Sequence, residues 1–179
     1  MCDLKMKIIE TERLSLRLFA EDDAEFVFRL VNEPGWIQNI GDRGVRTLDD
    51  ARRFIADRLA ASYERFGFGL YLVELKETGA SAGMCGLVKR DALEDVDIGF
   101  AFLERFWSKG YAFESASAVM DYAQNALGLK RIAAIVSPGN RGSIKVLEKL
   151  GMHFERMIKM PGDEEEIKFF ARDFKRGEG

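Results

Sequence analysis

A chain of 179 residues with 47% apolar and 32% charged side chains is sized for one globular domain, and nothing in it marks a second. Its net charge of −3 and pI near 5.4, with Lys and Arg dispersed along the sequence, supply no basic field for DNA or RNA. No apolar run approaches the roughly 20 residues that span a bilayer, and the N-terminal stretch lacks a signal-peptide core, so a cytoplasmic protein without membrane contact is expected.

In chain order, Leu14, Leu16 and Leu18 alternate with polar residues and predict a half-buried strand over 11–18. A helix follows from about Glu21, with Phe26, Val27, Leu30 and Val31 on one face and Pro34-Gly35 stopping it. The segment 32–46 reads as an irregular loop, and Trp36 within it either lines an acceptor pocket or covers the edge of the core. Thr47-x-x-Asp50 approximates a capping box for a helix to about Arg65, with Ala51, Phe54, Ile55 and Leu59 as its buried stripe. Residues 70–75 and 84–88 form an antiparallel hairpin, and Gly86 marks a bulge or a close backbone approach. A strand over 96–102 carries Gly99, which again suggests that something comes close.

Past that strand, Phe106-Trp107-Ser108-Lys109-Gly110-Tyr111-Ala112 leads into a helix whose apolar spacing runs to Leu127, where Gly128 ends it. A strand, a tight turn and a helix N-terminus present unpaired N–H groups and a positive dipole end to one point, an anion site most naturally filled by phosphate. The plain alternative is a helix-entry turn that needs Gly only for its backbone. A short strand over 131–136 precedes Asn140, a natural N-cap for a helix through Ile144, Leu147 and Leu150 closed by Gly151. Strands at 154–160 and 167–172 flank a turn with Pro161-Gly162 and the acidic run Asp163 to Glu166, which either attracts a cationic acceptor or is a solvated turn; the tail from Lys175 is expected to be disordered. Cys2 falls in a frayed N-terminus and Cys85 in a strand, where it reads as a structural thiol. One histidine, His153, cannot build a His/Cys zinc cluster, and no metal is expected.

The stretch Trp107-x-x-Gly110-x-Ala112 resembles the acyl-CoA pyrophosphate loop of the GNAT superfamily of N-acetyltransferases, usually Arg/Gln-x-x-Gly-x-Gly/Ala. Trp107 and the opening Glu10-Thr11-Glu12-Arg13-Leu14-x-Leu16-Arg17 are similar to the branch of ribosomal-protein N-terminal acetyltransferases, which commonly has Trp-Gly-Lys-Gly-Tyr-Ala here; Ser108 replaces its first Gly. A Cβ at Ser108 is tolerable at negative φ and crowding at positive φ. Asn140-x-x-Ser143, followed by Val146-Leu147-x-x-Leu150-Gly151, resembles the second signature.

The resemblance covers residues 8–172 of a single domain, 1–179. It implies an α+β fold with a mixed, mostly antiparallel sheet flanked by helices and splayed between the fourth and fifth strands. Acetyl-CoA is implied as cosubstrate, its pantetheine arm pairing with the backbone near Phe102, its pyrophosphate on Trp107, Ser108, Lys109, Gly110, Tyr111 and Ala112, and the Asn140 side chain touching the arm. Relatives with a Tyr acid carry it at the position of Leu147, which has no proton to give. Ser143 is therefore the candidate donor to the leaving sulfur, against a role in capping its helix. Asp97 is the candidate base, against a structural carboxylate, with Glu104 and His153 as weaker candidates. The expected function is N-acetylation of a primary amine on a peptide N-terminus or a small molecule; the alternatives are a non-catalytic acyl-CoA sensor and a cofactor-free binding module. The oligomeric state stays open, a homodimer included.

Overall fold

The computed structural model describes residues 5–175; the expectations for Cys2 and for the tail past Lys175 lie outside them. Eight strands form one sheet in the order β1-β2-β3-β4-β5-β6-β8-β7. They are β1 (Lys7–Glu10), β2 (Leu14–Arg17), β3 (Leu70–Leu75), β4 (Ser81–Val88), β5 (Asp97–Phe102), β6 (Arg131–Val136), β7 (His153–Lys159) and β8 (Glu166–Asp173). Every neighbouring pair is antiparallel except β5 with β6, which run parallel. The expected α+β architecture is present, and β1 is a strand that the sequence pattern did not reveal.

Helices α1 (Ala24–Val31), α2 (Pro34–Asn39) and α3 (Leu48–Phe54) cover one face of the first half of the sheet, while α4 (Ala61–Phe66) sends Tyr63 to the opposite core, stacked on Tyr71. The first core includes Val27, Leu30, Trp36, Ile55 and Leu59 against Leu72, Met84 and Leu103. Helices α5 (Tyr111–Asn125) and α6 (Arg141–Lys149) cover the other face through Ala116, Val119, Met120 and Leu147, packed on Leu14, Leu16, Cys85 and Ile98. A smaller cluster of Leu93, Ala133, Phe169 and Ala171 lies beside the first core, beyond β5.

Three local departures from the sequence reading have physical causes. The loop over 32–46 contains α2, because Pro34 stops α1 and also serves as a preorganised first residue of the next helix. The helix after Thr47 is capped as expected, Thr47 accepting from the Asp50 N–H, but it is interrupted by a π-helical segment over Ile55–Ala60. Finally, β2 is buried on both faces instead of one. Arg17 is only 3% exposed because its guanidinium binds Asp23 in a fork, at 2.8 and 2.9 Å, and Glu74 at 2.8 Å. Such a fork satisfies a buried charge, whereas removing either partner strands the other.

Gly86 makes the close approach expected of it. A Cβ there would press on the Gly69 carbonyl oxygen and lie 2.8 Å from the Leu70 Cα, both backbone atoms that cannot rotate away. Gly99 differs, since a Cβ there would meet Leu70 Cδ2 at an ordinary 3.5 Å. Gly86→Ala is therefore expected to cost about 1–3 kcal/mol in urea unfolding, the usual scale for overpacking, and Gly99→Ala to cost little.

Candidate active site

Strands β5 and β6 share a single register pair, Asp97 with Ala133, closed by the Ala133 N–H donating to the Val96 carbonyl at 2.9 Å. Beyond it they diverge. At the far end of β5, the Leu103 N–H donates to Ala82 of β4 at 3.0 Å, so the odd-numbered residues of β5 hydrogen-bond to β4. By strand alternation, Phe100 and Phe102 direct their N–H and C=O groups into the gap. The Phe102 carbonyl is taken by the Trp107 indole N–H at 2.8 Å. The N–H groups of Phe100 and Phe102 and the Phe100 carbonyl are left on an open edge.

That edge ends at the loop into α5. A short 3-10 turn over Glu104–Phe106 is followed by Ser108 with φ 59° and by Gly110 with φ 82°, the N-cap of α5. The Glu114 N–H makes the helix's first bond to the Gly110 carbonyl at 3.0 Å, which leaves the N–H groups of Tyr111, Ala112 and Phe113 without an intrahelical partner. An acidic residue in this first turn would oppose an anion, but Glu114 is occupied elsewhere. It accepts from Thr11 Oγ1 at 2.6 Å, the Arg13 N–H at 3.0 Å and Arg13 Nε at 2.6 Å. Burial alone would raise its pKa; these bonds outweigh burial and lower it. Arg13 also donates to the Lys109 carbonyl at 3.0 Å and lies 4.6 Å from the centre of the Tyr111 ring. A single cation thus neutralises Glu114 and braces the loop.

The other side of the loop is clamped to α2. The Gly35 N–H donates to Glu104 Oε1 at 2.8 Å, and the Glu104 N–H donates to Glu33 Oε2 at 2.7 Å. Glu104 therefore serves the N-terminus of α2, where a carboxylate is favoured, and is not a free base. Trp107 covers Gly35, where an added Cβ would lie 2.6 Å from the indole Cη2.

On α6, the Asn140 side-chain oxygen accepts from the Ser143 N–H at 3.2 Å, which is the capping role; the Asn140 amide N–H₂ makes no hydrogen bond among the described residues. The Ser143 hydroxyl, half-buried, is likewise unengaged among them. Leu147 is 2% exposed in the core. Asp97 is 1% exposed, and Arg90 Nε lies 3.1 Å from its Oδ1. Burial raises its pKa to about 6, the arginine opposing without winning. Trp36 is 7% exposed among the residues under α1–α3, as the core-edge alternative expects, its indole N–H on the Gly41 carbonyl at 3.1 Å. Cys85 is fully buried, its thiol pushed up to about 12 by burial, and His153 is exposed at the start of β7. No group of three or more His, Cys, Asp or Glu that could hold a metal occurs among the described residues.

A family model described as the acetyltransferase (GNAT) domain matches residues 13–153. The chain belongs to the GNAT acetyltransferase family. An uncharacterized protein of Bacillus subtilis (strain 168), YkkB, is 32% identical over 158 residues, which are 87% of this chain and 90% of that one. The crystal structure of a GNAT-family acetyltransferase from Bacillus anthracis is 28% identical with a TM-score of 0.77, covering 94% of this chain and 98% of that one. RimL, the ribosomal L7/L12 alpha-N-protein acetyltransferase, in complex with coenzyme A, shares the fold at 19% identity and a TM-score of 0.79, covering 94% and 98%. The chain is accordingly an enzyme of the N-acetyltransferase type.

Arg13, Glu33 and Arg90 were not singled out by sequence. The partners of Arg13 and Glu33 lie far away in the chain, Arg90 itself lies beside a polar turn, and only the Arg13 of the opening motif carried any signal. Two outcomes follow from the local geometry. Ser108 holds a left-handed conformation that costs an L-residue about 1–2 kcal/mol, so Ser108→Gly is expected to stabilise the protein by roughly that amount in urea unfolding. Asp97 binds a proton more tightly folded than unfolded, so stability falls as pH rises from about 4 through 6. Asp97→Asn should flatten the urea-midpoint profile across that window.

Proposed function

We propose that this GNAT-family enzyme catalyses acetyl-CoA-dependent acetylation of a primary amine. The observation that carries the reading is the open backbone edge of β5 running directly into the uncapped N–H groups of α5. One surface suits an amide-bearing arm that pairs like an added strand, and the other suits a pyrophosphate at a helix N-terminus. The removal of Glu114 from play by Arg13 supports the second. The RimL complex shows that a protein of this fold binds coenzyme A.

Acetyl-CoA supplies an activated thioester. This chain's residues then divide the work. The N–H groups of Phe100 and Phe102 align the arm and polarise the acyl oxygen, a donor placed where negative charge develops. The free amide N–H₂ of Asn140 steadies the arm while its oxygen caps α6. Asp97, ionised above about pH 6, accepts the proton of the attacking amine directly or through water. The Ser143 hydroxyl, with no bond of its own among the described residues, donates to the departing sulfur. A protein confined to the cytoplasm fits this use of acetyl-CoA. The second reading, an acyl-CoA sensor without turnover, is favoured by Leu147, whose place in the core holds no acid.

Calorimetry with acetyl-CoA and a thiol-release assay over a panel of amines test the proposal. The wild type should bind and turn over, whereas the sensor would bind without releasing thiol. Gly110→Glu should weaken binding by at least about 100-fold, since like charges brought together cost several kcal/mol. Gly110→Ala carries the same backbone strain without the charge and should lose far less. Equal affinities for Gly110→Glu and wild type would remove the loop from the cofactor site.

A further inference from the structure

Parallel strands leave a sheet at the same end, so β5 and β6 deliver their following loops to one side of the molecule, at the open end of the gap. One short helix is tied to both loops. At the start of α2, the Gly35 N–H donates to the Glu104 carboxylate at 2.8 Å, and Glu33, the N-cap, accepts from the Glu104 N–H at 2.7 Å. At its end, the Asn39 carbonyl accepts from the Ser137 hydroxyl at 3.0 Å. Trp107 tightens the first tie, its ring lying where a side chain on Gly35 would begin and its N–H holding the last carbonyl of β5.

The helix between these ties is built to be stiff. Pro34 presets its first turn, the Asn39 side-chain amide donates back to the Gly35 carbonyl at 2.9 Å, and buried Trp36 anchors it in the core. Its 6 residues make a rod about 9 Å long. A gap that admits one extended chain between two strands is two strand spacings wide, roughly 9.5 Å. The two lengths correspond. Strands that begin as a pair gain hydrogen bonds by zipping further, and the groups past Asp97 and Ala133 carry that tendency. A stiff rod fixed to both strand ends opposes closure and spreading alike.

We infer that Glu104 and Ser137 are positioning residues for acetyl-CoA, each fastening one end of α2, which as a strap holds β5 and β6 one chain's width apart. The inference rests on the reading that this gap takes the cofactor. Both residues act through α2 and need no contact with the thioester. With the strap tied, the gap is open before the cofactor arrives. With either end free, the strands also sample closed or spread arrangements, and affinity falls in proportion to the fraction of molecules still open.

Calorimetry with coenzyme A on the whole chain tests this. Glu104→Ala and Ser137→Ala should each weaken binding about tenfold, and Glu33→Ala, which cuts the first tie at its other bond, should behave like Glu104→Ala. The Glu104→Ala/Ser137→Ala double variant should bind within about twofold of the weaker single, because a strap freed at one end holds nothing at the other. Losses that multiply to about 100-fold would make the two contacts independent and overturn the inference. Glu104→Gln keeps an acceptor and Ser137→Thr a hydroxyl, so both should recover most of the affinity. Thr47→Ala, which removes the cap of α3, should lower the urea midpoint and leave affinity unchanged; an equal loss of affinity there would make general destabilisation the cause and overturn the inference. In thiol release, Glu104→Ala and Ser137→Ala should raise the KM for acetyl-CoA with kcat held within about twofold. A Glu104→Gln enzyme with wild-type affinity and a kcat lowered by roughly 100-fold or more would make Glu104 a base, and single variants that bind as tightly as wild type would make the ties idle. Either result overturns the inference. A wild type that binds no coenzyme A instead overturns the cofactor reading beneath it.

Discussion

The structure depends on one unmet obligation: β5 and β6 begin as a parallel pair at Asp97 and Ala133 and then separate. Backbone groups buried without partners cost about 1–3 kcal/mol each, so a sheet parts in this way only if something else satisfies the exposed edge. Part of the answer is internal, since the Trp107 indole fills the Phe102 carbonyl. The remaining groups are available to a ligand. The surroundings of the gap maintain this opening: α5 and α6 brace the sheet from one face, and Ser137 ties the end of β6 to α2 on the other.

The strands and long helices were readable in the sequence because their signals are local. Apolar spacing gave α5, alternation gave β2, and glycines marked the turns. What escaped notice was set by long-range charge. Arg17 looked like the polar half of an alternating strand, yet Asp23 and Glu74 draw it inside. Glu104 looked like a loop carboxylate, and its partners on α2 lie about 70 positions earlier in sequence. Trp36 was read as either a pocket liner or a core residue, and only packing could choose the core. Ser108 was flagged by its contrast with glycine, but its left-handed backbone depends on how the loop is pulled between Arg13 and α2.

The candidate site was partly legible for the same reason. Gly110, Asn140 and Ser143 sit at helix starts, where the residue type and the geometry coincide. Asp97 was identified as a carboxylate in an apolar strand, and its burial and raised pKa follow from that setting. Its arginine partner was invisible, because Arg90 lies beside a polar turn that has no pattern of its own.

The two tryptophans give the chain a further property. Trp36 is buried, while Trp107 is 49% exposed on the loop that leads into α5. Indole emission shifts and dims with the polarity and contacts around the ring. One indole therefore provides a constant background, and the other stands at the edge of the gap with its N–H fixed to the strand. The molecule carries its own optical gauge of whether that loop is engaged, without any added label.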